Sequence, residues 1–124
     1  IDISNKIWSV IPNIKNVIEK NNTIVFYFEG DGTNAAIMHD VITFGFPPHM
    51  ALIYNITKEN QMPIALDIWS EIESAVIDGK SLARYGYPLK PIPPENVYAF
   101  YLQGNDNLVN ITDLARNKLK QLKK

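Results

Sequence analysis

Residues 24–28, IVFYF, place five large apolar side chains in a row, and no other stretch restricts the fold as much. A strand turns successive side chains to opposite faces, so this run is apolar on both. Glu29-Gly30-Asp31-Gly32 follows it with turn residues. Residues 23–30 therefore read as a strand in the middle of a sheet, and the rest of the chain has to supply its neighbours.

Three further segments have strand character. Residues 40–46, DVITFGF, and 50–57, MALIYNIT, flank Pro47-Pro48-His49, a connection short enough for adjacent antiparallel strands. Residues 96–104, NVYAFYLQG, form the third. Residues 62–68, MPIALDI, are a candidate fourth, and 33–39, TNAAIMH, fit either a short helix or the approach to the next strand.

Helical periodicity appears in three places. Ile3, Ile7, Val10, Ile11, Ile14, Val17 and Ile18 make one stripe, with Pro12 read as opening a second helix. Ile68, Ile72 and Val76 recur four apart in 67–79. Asp67, or Ser70 with Glu73, is a suitable cap there, and Gly79 a stop. Leu114, Ala115, Leu119 and Leu122 make the last stripe, with Thr112 as cap and terminal lysines that suit the negative end of a helix dipole. Prolines 88, 91, 93 and 94 make 80–95 irregular.

The resulting order is α-β-β-β-(β)-α-β-α: one α+β domain over residues 1–124, with a mainly antiparallel sheet of four or five strands and helices packed on one face. At 124 residues, with 46% hydrophobic and 20% charged residues, the chain has the makings of a folded core. It starts at Ile1 rather than Met, so the native N-terminus is expected to lie upstream, which leaves room there for a leader or a preceding domain.

Composition removes several chemistries. With no cysteine there is no disulfide, thiolate zinc site or thiol nucleophile. A net charge of −1 gives no reason to expect nucleic acid or a membrane surface as partner. No serine sits in a nucleophile elbow. No cofactor and no metal site is expected.

Two groups of residues carry the remaining chemistry. His39, Asp40, Asp31 and His49 are the types that a histidine-dependent hydrolase or nuclease would use as base, orienting acid or metal ligand. If the chain reverses at Pro47-Pro48, however, His39 and His49 fall at opposite ends of a strand about 23 Å long. The turn 29–33, EGDGT, lacks the lysine of a phosphate loop and is flanked by Glu29 and Asp31, which repel an anion. The second group is the loop 80–95, where Arg84, Tyr85, Tyr87 and Lys90 combine planar rings with cations on a proline-stiffened backbone, as protein recognition sites do. The leading expectation is a small non-enzymatic protein-binding module of the size and style of bacterial immunity or inhibitor proteins, with another protein as partner. The alternatives are the small hydrolase or nuclease, and an accessory domain of a larger protein.

Overall fold

A computed structural model describes residues 23–40, 64–104 and 107–123. Its central strand is the apolar run: β1, Val25–Gly30, lies between two parallel partners. On one side is β2, Ile64–Leu66, in the register Val25 to Ile64 and Tyr27 to Leu66. On the other is β3, Val97–Gln103, in the register Tyr27 to Ala99 and Glu29 to Tyr101. A short edge strand, β4, Asn107–Asn110, pairs antiparallel with β3. The order β2-β1-β3-β4 makes one mixed, mostly parallel sheet in an α+β fold.

The expectation of a mainly antiparallel sheet is thus overturned, and the element order differs from the one read off the chain. The physical reason lies in the connections. Parallel neighbours need a crossover of a dozen or more residues, and residues 31–63 and 67–96 supply two such spans. Of the strand expected at 40–46 only Asp40 is described, and it is helical; the rest of that strand, the strand expected at 50–57 and the turn at Pro47-Pro48 lie outside the described residues, as do the helices expected before residue 22. The ambiguous stretch after β1 resolves as a helix, α1, Asn34–Asp40, and the candidate strand in 62–68 is present as β2. The edge strand β4 was not anticipated.

Alternation along β1 divides the core. Val25 and Tyr27 face the same side as Ile64, Leu66, Val97 and Ala99, and this side is covered by α2, Trp69–Ile77, and α4, Thr112–Leu122. Ile72, Ala75 and Val76 from α2 and Ala115 and Leu119 from α4 complete that cluster. On the other side Phe26, Phe28 and Phe100 are wholly buried and stack with centroids 5.8 to 6.5 Å apart. Fully burying one such ring contributes about 1.5–3 kcal/mol relative to leaving it exposed.

Helix ends differ from the expected caps. Ile68 occupies the N-cap of α2 without a side-chain hydrogen bond, because Asp67 is committed elsewhere; the Ser70–Glu73 box does not form. Gly79 does end α2, with φ +77°, its amide bonding to the Ser74 carbonyl at 2.8 Å. A single helical turn, α3, Lys80–Ala83, follows at once, where irregular chain was expected; it fits because the first proline comes only at 88. Pro94–Asn96 add a 3-10 turn. At α4, Ile111 is the N-cap and Thr112 is the first helical residue. The Asn110 side chain accepts the Thr112 amide at 3.0 Å, and the buried Thr112 hydroxyl turns to the sheet, accepting from the Ala99 amide at 3.0 Å and donating to its carbonyl at 3.3 Å. Leu114 and Leu122, expected on the buried stripe, are exposed.

Candidate functional site

The three parallel strands end on one edge of the sheet, and in parallel sheets the crevice outside the carboxyl ends, where the winding changes direction, is the favoured place for a ligand. Here the first crossover runs from β1 to β2 on one side, and the second runs from β2 past β1 to β3 on the other. Residues at or just beyond the carboxyl ends include Glu29, Asp31, Asp67 and Tyr101.

Asp31 serves as a clasp. Its Oδ1 accepts from Asn34 Nδ2 at 2.8 Å and its Oδ2 from the Gly104 amide at 3.4 Å. Asn34 Nδ2 also donates to the Gly104 carbonyl at 2.8 Å, and the Asp31 amide reaches the Leu102 carbonyl at 3.3 Å. The EGDGT turn is thereby tied to the turn after β3. Gly30 is required by contact, since a Cβ there would lie 2.7 Å from the Asn34 backbone.

His39, near the end of α1, meets the Asp67 carboxylate: His39 Nδ1 lies 2.8 Å from Asp67 Oδ2. The pair spans 28 positions. The imidazole is 61% exposed, and the pair sits at the surface. Asp40 closes α1, and His49 lies outside the described residues. Among the described residues no three His, Asp or Glu side chains are grouped to hold a metal ion.

On the α2/α4 face, close to this edge, is a cleft of about 280 Å³ lined by Tyr27, Glu29, Trp69, Ile111, Leu114, Ala115 and Lys118. Tyr27 meets Trp69 edge-on at 5.2 Å. The Tyr27 hydroxyl is pushed up to about 12, first by burial and then by the charge of Glu29, to which it also donates a hydrogen bond, and by Asp67. Tyr101, beside Glu29 in register, is raised by desolvation and by Asp31 and Glu29. Of the cleft residues, the sequence points to Glu29 only as an acidic flank of the turn and to Leu114 and Ala115 only as a helical stripe, and it does not join them into a cleft. The signal available was Tyr27 and Glu29 two apart at the strand's end, which places a polar pair on the face that otherwise carries Val25.

The loop residues follow α3, and Arg84 reaches back to α2. Arg84 Nη2 donates to Glu71 at 2.9 Å and to the Tyr85 hydroxyl at 3.0 Å, and its guanidinium sits 4.9 Å from the Tyr85 ring centroid. Tyr87 is half-buried against the core, and burial raises its hydroxyl above the ordinary value. Lys90 is exposed, with its amide bonding to the Pro88 carbonyl at 2.9 Å. Leu89, 70% exposed, is the most exposed large apolar side chain among the described residues. The structure therefore brings Arg84 and Tyr85 together and turns Tyr87 inward.

Comparison with protein-family models, with curated proteins and with solved structures finds no match for the chain.

Proposed function

We propose that the chain is a protein-binding module that uses the loop 84–91 to engage an acidic surface of another protein. The observation that carries this reading is the exposed Arg84–Tyr85 stack, held by Glu71, in a loop that also exposes Leu89. An arginine and a tyrosine already held in place lose little side-chain freedom on binding, which favours affinity. Lys80, Arg84 and Lys90 are the cations of this region, and the approach of Gly79 to the Lys90 backbone brings the chain at Lys80 close to the chain at Lys90. Tyr87 supports the loop rather than facing outward.

A second reading is favoured by one distance, the 2.8 Å between His39 and Asp67, which is the geometry of a base and its orienting acid. It makes the chain a small hydrolase or nuclease.

One experiment separates the two. Arg84→Glu with Lys90→Glu reverses two charges at exposed positions and leaves the core alone. The binding reading expects proteins captured by the native chain at low salt to be lost by the folded double variant. Equal capture by both chains sinks it. If, in addition, the native chain cleaves ester or phosphodiester substrates and His39→Ala abolishes that cleavage, the second reading takes its place.

A further inference from the structure

The cleft at the carboxyl ends of β1 and β2 takes no part in the loop proposed above, and its lining has a definite chemistry. One wall is aromatic: Trp69, the first residue of α2, stands edge-on to Tyr27. The opposite wall is α4 and the residue before it, which contribute Ile111, Leu114 and Ala115. The carboxylate is Glu29, exposed at the end of β1 and already receiving the Tyr27 hydroxyl. Lys118 stands on α4 and makes no ion pair among the described residues.

A neutral apolar guest would satisfy the walls but leave Glu29 to be desolvated without compensation. An anionic guest meets Glu29 directly, and Asp67 is near enough to act on Tyr27 as well. A cation is favoured by both features, since a carboxylate pairs with it and the face of a tryptophan or tyrosine attracts it. The volume of about 280 Å³ is at the small end of ligand pockets, which suits a guest of roughly ten to fifteen heavy atoms. Partial exposure of Leu114 leaves the mouth open to solvent.

We infer that this cleft binds a small ammonium compound with an apolar body, the ammonium at Glu29 and the body between Trp69 and the Ile111–Leu114–Ala115 wall. Lys118 disfavours a bare amine and favours one that also carries a carboxylate, so the natural ligand class is amino-acid-like. The polar walls select by charge and the apolar ones only by size.

Calorimetric titration with phenethylamine, phenylalanine, hydrocinnamate and phenethyl alcohol tests this on the full chain, with folding of every variant checked by circular dichroism. Phenethylamine and phenylalanine are expected to bind with a Kd of about millimolar order or tighter, and hydrocinnamate and phenethyl alcohol to bind far more weakly. Glu29→Gln retains an acceptor for Tyr27 but loses the charge, and should weaken both amines about tenfold or more. Lys118→Met should tighten phenethylamine and weaken phenylalanine. Absence of saturable amine binding, equal binding of the alcohol or the acid, or an unchanged affinity in Glu29→Gln would each overturn the inference. The Arg84→Glu, Lys90→Glu variant should bind the amines as the native chain does, so failure of the loop reading and failure of this one are told apart.

Discussion

Replacing Gly79 with alanine tests how the loop 84–91 is held. Gly79 ends α2 at φ +77°, a left-handed conformation that costs a residue with a Cβ about 1–2 kcal/mol. Its α-carbon also lies against the Lys90 backbone: a Cβ would collide with the Lys90 carbonyl oxygen and come within 2.8 Å of both its carbonyl carbon and its amide nitrogen. Backbone cannot rotate away as a side-chain end can, so the loop must lift, and overpacking of this kind costs about 1–3 kcal/mol. Neighbouring Gly86 provides the internal control. At φ +87° it carries the same conformational cost, but a Cβ there meets nothing within 4 Å. Both substitutions also stiffen the unfolded chain by the same amount, about 0.4–1 kcal/mol in favour of the folded state, and this cancels in the comparison. Gly79→Ala should therefore be less stable than Gly86→Ala by about 1–3 kcal/mol. Urea unfolding followed by circular dichroism reads the difference, with a shared slope showing that the unfolded reference is the same. Gly79→Ala should also release the Ile92 amide from the Ala75 carbonyl, now 3.0 Å apart, and speed its hydrogen exchange. If the two variants unfold at the same urea concentration, the contact with Lys90 carries no energy and the account of a held loop fails.

Two further outcomes follow from buried polar groups. The Tyr27 hydroxyl has its folded-state value raised from 10.0 to about 12, so below pH 10 it contributes nothing pH-dependent, and between about 10 and 12 the unfolded chain loses this proton first and stability falls; Tyr27→Phe should flatten that decline in urea midpoints measured from pH 8 upward, and an unaltered decline would refute the assignment. Thr112→Val keeps the shape of the side chain but leaves the buried Ala99 amide without its acceptor, so it should cost about 1–3 kcal/mol while Thr112→Ser costs less; similar losses for the two, read by thermal unfolding, would show that the hydroxyl is not what matters.

How far the sequence foretells this architecture depends on the range over which each signal acts. β1 is legible because its signal is local: an uninterrupted run of apolar residues bounded by turn residues. That same run is the mark of a strand inside a parallel sheet, covered on both faces, whereas a one-sided antiparallel strand alternates. Nothing local says which segment pairs with it, and the choice of 64–66 and 97–103 depends on the whole chain path. Helix α2 and its stop at Gly79 are legible for the same local reason, while its cap is not, because Asp67 is drawn to His39 from another element. The site divides likewise. The cations and rings of 84–90 are visible as composition, but the inward turn of Tyr87 is set by packing. The cleft joins a strand end, a helix start and a helix face that lie about 40 positions apart or more, so only its Tyr27–Glu29 pair leaves a trace in one stretch of sequence.

The Thr112 hydroxyl has a consequence for how this chain behaves among its own copies. β4 pairs only with Phe100–Gln103, so the first half of β3 would expose a row of backbone groups to any passing strand. Instead the Ala99 amide is taken by Thr112 Oγ1 and the Ala99 carbonyl by the Ile111 amide at 2.9 Å; the Val97 carbonyl accepts from Arg116 Nε at 2.9 Å, and the Arg116 guanidinium lies 4.7 Å over the Tyr98 ring. The start of α4 thus takes up, among the described residues, the Ala99 and Val97 groups that an incoming strand would need for β-addition.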